Sequence, residues 1–147
     1  MAHVPEILLA YDGSTFSAAV LRQGAELASL CKAELHLLSI VVTTGSMAIA
    51  EAVGPSDVWG LEQKDRQQVV EATAQYLHNQ GLNVITCVRY GDPAVEIAAY
   101  AHEINAELVV LGHTSKGMLT RWFQGSVGAK LLDHLPCSLL VATTGKG

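Results

Sequence analysis

Five short apolar segments, separated by stretches with helical periodicity, limit what this chain can fold into more than any other feature. They cover residues 6–11, 35–42, 83–90, 108–111 and 138–142. Residues 35–42 are nearly all apolar, the pattern of a strand covered on both faces, as in a parallel sheet. Between them, residues 14–30 place Val20, Leu21, Gly24, Ala25, Leu27, Ala28 and Cys31 on one helical face. Residues 61–80 do the same with Val69, Val70, Thr73, Tyr76 and Leu77, and Gly81 is the expected stop. Asp92 and Pro93 read as the N-cap and first position of a helix striped with Ala94, Ile97, Ala98, Ala101 and Ile104. A last helix is expected over 126–134. Residues 43–60 are the least regular, punctuated by Gly45, Gly54, Pro55 and Gly60, with a short helix expected at 47–53. Strands alternating with helices predict right-handed βαβ crossovers and an α/β fold. The expected architecture is one domain, residues 1–147, with a doubly wound five-stranded parallel sheet, Rossmann-like.

Composition removes several function classes. A chain of 147 residues buries about two-thirds of its unfolded surface in one core. No apolar run approaches the ~18–20 residues that span a bilayer, so no membrane association is expected. The opening MAHVPEILLAYDG lacks the basic and apolar regions of a secretory signal, which points to the cytoplasm. Cys31, Cys87 and Cys137 stand far apart, as in a reduced protein with structural thiols, and neither they nor the histidines show metal-ligand spacing. A formal charge of −5 argues against nucleic acid as a partner, because backbone binders need a basic footprint. Any anion site must therefore be local.

One such site is legible in LVVLGHTSKGMLTRWFQGSV, residues 108–127. An apolar strand breaks at Gly112, a polar basic loop follows, and Gly125-Ser126 opens the last helix. The first N–H groups of a helix lack internal partners and lie at the positive end of its dipole, so they suit an anion such as a phosphate. In a doubly wound sheet, ligands bind beyond the carboxyl ends of strands where the winding reverses. The exits at Asp12-Gly13-Ser14 and at Gly112 would open into that crevice if the first and fourth strands are neighbours. Each feature has a plainer reading beside this one. Asp12 and Ser126 would serve equally as helix caps, Lys116 and Arg121 as solvated charges, His113 as a loop histidine, and Trp122-Phe123 as a loop anchor or dimer contact.

The same residues resemble the universal stress protein family. Gly112, two residues, Ser115, nine residues, Gly125 and Ser126 reproduce the spacing of its nucleotide-binding members, with Ser115 where the family usually has glycine. ILLAYDGS is similar to the family's first strand and aspartate turn, and PCSLLVA to its closing strand. The resemblance implies a nucleotide site of Ala10, Tyr11, Asp12, Ile40, Leu111, Gly112, His113, Ser115, Gly125, Ser126 and Val127. In it Asp12 would bind the ribose hydroxyls, Ala10 line the base site and Ile40 pack on adenine. Leu111 and Gly112 would pass close to the adenosine. Gly125, Ser126 and Val127 would give N–H groups, and Ser126 its hydroxyl, to phosphate. Serine at 115 would cost roughly 1 kcal/mol if that backbone requires a positive φ. The resemblance also implies the strand order 3-2-1-4-5 and a homodimer through the closing strand, Ser138, Leu139, Leu140 and Val141.

The expected function is therefore an adenine-nucleotide (ATP or AMP) binding stress-response regulator, with Mg2+ as an accompanying ion and an unidentified protein as partner. No GxSxG elbow, HExxH or Walker-type loop is present, and Asp12 is the only acidic group expected at the crevice. The nucleotide would thus be a signal rather than a substrate, and catalysis at most slow ATP hydrolysis or phosphotransfer. The rival reading is a nucleotide-independent interaction module of the same fold.

Overall fold

The computed structural model describes residues 3–10, 18–42, 55–113, 131 and 133–143. Its elements are β1 (Glu6–Ala10), α1 (Ala18–Cys31), β2 (Glu34–Val42), α2 (Pro55–His78), β3 (Asn83–Gly91), α3 (Pro93–Ile104), β4 (Leu108–His113) and β5 (Ser138–Thr143). Leu131, Asp133 and His134 are also helical. All five strands lie in one sheet in the order β3-β2-β1-β4-β5, every neighbouring pair parallel. This is the doubly wound order expected from the sequence. The aspartate turn at 11–17, the short helix at 47–53 and the loop and helix start at 114–130 fall outside the described residues.

Period-two alternation along the strands divides the core between the two faces. Ile7, Leu9, Leu35, Leu37, Val84 and Val110 pack with Val20, Ala25 and Ala28 of α1 and Val70, Ala74 and Leu77 of α2. Leu8, Ala10, Leu38, Ile40, Val109 and Leu111 pack with Ala94, Ile97, Ala98, Tyr100 and Ala101 of α3 and with Leu131. The helices joining β1 to β2 and β2 to β3 thus cover one face. α3, which joins β3 to β4, lies on the other face with Leu131, Leu135 and Cys137 from between β4 and β5. The winding reverses between β1 and β4.

Three details depart from the sequence expectation. α2 begins at Pro55 rather than at 61, because proline is tolerated in a first helical turn. Gly60 consequently lies inside the helix, a cost of about 1 kcal/mol that the buried stripe downstream offsets. That stripe is Val70, Ala74 and Leu77, whereas Tyr76 is exposed: at 100° per residue it sits on the flank beside Leu77. Cys31 is exposed too, being the last residue of α1 before Lys32 turns the chain with φ 55°.

Gly81 has φ 89°, a left-handed stop that suits glycine, and Asn105 ends α3 with φ 54° and ψ 50°. Asp92 caps α3 as expected. Its Oδ1 accepts from the N–H of Ala94 at 2.9 Å and of Val95 at 3.2 Å. Asp92→Ala should cost about 1 kcal/mol in urea unfolding, and Asp92→Asn should recover most of it. Equal losses in the two variants would show that the cap bonds contribute nothing.

Candidate functional site

Three strand ends come together at the winding reversal. β1 pairs with β2 as far as Ala10 opposite Leu38, and with β4 as far as Leu9 opposite Val110. Among the described residues, β2 runs on through Ser39, Ile40, Val41 and Val42 beside β3, and β4 through Leu111, Gly112 and His113 beside β5. The carboxyl ends of β1, β2 and β4 thus meet at the winding reversal, and the crevice beyond them is the notch of a doubly wound sheet. In open α/β sheets this is where ligands bind.

Five of the expected site residues converge there. Ala10 is the last residue of β1, Ile40 lies near the carboxyl end of β2, and Leu111, Gly112 and His113 form that of β4. The side chains of Ala10, Ile40 and Leu111 share the α3 face and are fully buried. They make an apolar floor under the notch rather than an open wall. Tyr11, Asp12, Ser115, Gly125, Ser126 and Val127 lie outside the described residues, as do Lys116, Arg121, Trp122 and Phe123.

The nearest described cation beside this floor is already engaged. Arg89, opposite Ile40 on β3, donates from Nη2 to Glu103 Oε1 at 2.6 Å, and its Nη1 stands 3.9 Å from Glu96. Its Cζ lies 4.9 Å from the Tyr100 ring centroid, in cation–π contact. The hydrogen bond from Arg89 lowers the Glu103 pKa, while burial pushes the Tyr100 hydroxyl up to about 12. Arg89 is held sideways along α3 by these partners. A separate groove of about 540 Å³ opens between α1 and α2, lined among others by Leu21, Arg22, Glu26, Tyr76 and Gln80. It brings no convergent polar group to the strand ends, so the notch is the better candidate.

Known proteins share the fold and the sequence. The family-level sequence model of the universal stress protein family matches residues 4–143. The chain belongs to this family. Universal stress protein YxiE of Bacillus subtilis is 29% identical over 143 residues, covering 92% of this chain and 97% of its own. A crystal structure of a family protein from Burkholderia pseudomallei is 25% identical with a TM-score of 0.70, covering 93% of this chain and 94% of that one. Two more distant solved structures share the universal stress protein fold and hold nucleotides. One is a universal stress protein in complex with cAMP, 16% identical with a TM-score of 0.65 over 97% of this chain and 99% of that one. The other, from Archaeoglobus fulgidus, is in complex with dAMP, 18% identical with a TM-score of 0.63 over 96% and 98%.

At the opposite, amino end of the sheet of this universal stress protein, the register assembles a group that spacing along the chain conceals. Glu6 pairs with Glu34, and His36 shares a face with Glu34 two residues away. His36 is buried, with Glu6 Oε2 2.6 Å and Glu34 Oε1 3.4 Å from its Nε2.

Proposed function

We propose that this universal stress protein binds an adenine nucleotide at the notch above Ala10, and that the nucleotide acts as a regulatory signal. The observation that carries this reading is the meeting of the carboxyl ends of β1, β2 and β4 at the winding reversal. The chain continues from β1 into Asp12, and from β4 through Gly112 toward Gly125-Ser126. A carboxylate suits a ribose diol, apolar strand ends suit a purine, and a helix start suits phosphate. The cAMP and dAMP complexes of relatives with this fold support adenine as the base. Nucleotide would tie the two exits together, and a state that binds it more tightly would be the one presented to a protein partner. Phosphoryl transfer would need carboxylates for Mg2+ and a group to orient the attack, and Asp12 is the one acidic group expected there from the sequence. Slow hydrolysis is thus a minor accompaniment, and the cytoplasm the compartment that supplies the ligand.

The test is mass spectrometry of small molecules released from denatured, freshly purified protein, followed by calorimetric titration with ATP. Wild type should carry or take up one adenine nucleotide per chain, and Gly125→Val, with folding confirmed by circular dichroism, should take up none. Absence of binding to wild type at millimolar ATP would leave the nucleotide-independent interaction module as the reading.

The homodimer is proposed through β5. Among the described residues this strand pairs with β4 on one side only, Val141 is exposed, and Leu139 and Leu140 are half-buried. An apolar edge of this kind is an aggregation liability unless covered. Leu139 and Leu140 also pack against the two core clusters, so Val141 is the cleaner probe. Val141→Arg should convert the dimer to monomer in sedimentation with an unchanged circular dichroism spectrum. A persisting dimer would remove β5 from the interface.

A further inference from the structure

Glu6, Glu34 and His36 carry chemistry that the nucleotide site does not use. They open β1 and β2 at the amino end of the sheet; His36 is four residues, roughly 13 Å, from Ile40 along β2. One candidate ligand atom from each lies within 4.8 Å of the others. The His36 side chain is 6% exposed, and those of Glu6 and Glu34 are 27% and 32% exposed, so the group is buried on one side and reachable from solvent on the other. The far ring nitrogen is held as well: His36 Nδ1 lies 3.1 Å from the Tyr100 hydroxyl, whose ring meets the imidazole edge-on.

Charge is the decisive feature. Glu6 and Glu34 are direct cross-strand neighbours, a like-charge pairing that destabilises a sheet unless a cation intervenes. Both carboxylates converge on Nε2. In the tautomer in which Nδ1–H donates to the Tyr100 oxygen, Nε2 presents a lone pair to two anions. A proton there supplies one positive charge against two negative ones; a divalent ion supplies two.

We propose that Glu6, Glu34 and His36 form a binding site for a divalent zinc-type metal ion, with the Tyr100 hydroxyl fixing the imidazole. One imidazole with two carboxylates is a nitrogen–oxygen donor set suited to zinc, whereas magnesium and calcium favour all-oxygen sites. Two ligands of a tetrahedral zinc ion bonded at about 2.0–2.1 Å stand roughly 3.3 Å apart. The 3.4 Å between Nε2 and Glu34 Oε1 already meets this. Glu6, at 2.6 Å, has to draw back by roughly 0.7 Å to reach the same separation, and its partly exposed side chain has room to do so. A fourth position faces solvent for water. The ion would clamp β1 to β2 and, through Tyr100, to α3.

The experiment uses the full chain, stripped with chelator, kept reduced, and titrated with Zn2+ by calorimetry, with elemental analysis after dialysis. Wild type and Cys31→Ser should each hold one Zn2+ per chain. Glu6→Gln and Glu34→Gln, near-isosteric changes at partly exposed positions, should each weaken binding at least tenfold, and Tyr100→Phe by roughly 10–100-fold, as loss of a ligand-orienting partner does elsewhere. Co2+ should give the visible absorption of a four-coordinate site in wild type and lose it in Glu34→Gln. Wild type without stoichiometric Zn2+, wild-type affinity in either Gln variant, or loss of binding in Cys31→Ser would each overturn the assignment.

Discussion

Leu9→Ala is expected to lower the unfolding free energy by about 2–5 kcal/mol, the range for a leucine deleted from a closed core. Leu9 is fully buried in the cluster under α1 and α2. Its contact with Gly24 makes the prediction sharper. A Cβ built on Gly24 would stand 2.6 Å from Leu9 Cδ1, so the leucine occupies the space that a side chain on α1 would fill. Gly24→Ala alone should therefore destabilise by about 1–3 kcal/mol through overpacking, despite the gain of about 1 kcal/mol that alanine brings to a helix interior. In the Leu9→Ala background the same change should stabilise, since its methyl group enters vacated space. Urea denaturation of the four proteins should give a coupling of about 0.5–3 kcal/mol. Strict additivity would mean that α1 is not seated on β1 through this pair.

That seat also explains what the sequence could and could not convey. Gly24 on the predicted inner face of α1 was legible from three-and-four spacing, but not the reason for glycine there, which depends on Leu9 of a different element. The strand set and its parallel crossovers followed from local pattern, because each strand is apolar in its own right and each connection is long enough for a crossover helix, whereas the strand order came with the family resemblance. α3 was readable at both ends: Asp92-Pro93 announces its start chemically, and Ala94, Ile97, Ala98 and Ala101 are all buried. α2 was not, because glycine and proline at 54–60 suggest interruption. Tyr76 misled for a related reason, since an aromatic one position from Leu77 fits a wide apolar stripe that the sheet does not need.

The site divides in the same way. Ala10, Ile40, Leu111, Gly112 and His113 were expected together, and the register gathers them at one sheet end. The register that brings these strand ends together was not legible in any one segment, because it belongs to several strands jointly. Glu6, Glu34 and His36 were missed on similar grounds. Their meeting requires knowledge that Glu6 and Glu34 are in register, a fact belonging to two strands jointly. Alternation alone would have put Glu34 and His36 on one face, and that was the available hint.

Adenine nucleotide in excess should stabilise the fold by an amount that arithmetic fixes once affinity is known. A ligand that binds only the native state at 100 times its Kd adds about 2.7 kcal/mol. For a chain of this length that raises Tm by roughly 5–11 °C, at about 2–4 °C per kcal/mol. Asp12→Ala and Ser126→Ala then separate the two roles each residue could play. A residue that only caps a helix lowers the baseline by about 1 kcal/mol and leaves the ligand-induced shift intact. A residue that holds the ligand loses a charge-assisted bond, and a tenfold weaker Kd alone reduces the shift at the same nucleotide concentration to about 1.4 kcal/mol. The shift, not the baseline, is therefore the informative quantity. GTP at the same concentration should give a much smaller shift than ATP, because the apolar strand ends would be read by adenine and the helix start by phosphate alone. Equal shifts with both nucleotides would assign the site to phosphate without base recognition. Wild-type shifts retained in both alanine variants would return Asp12 and Ser126 to capping and move the binding contacts to backbone groups of the two exits.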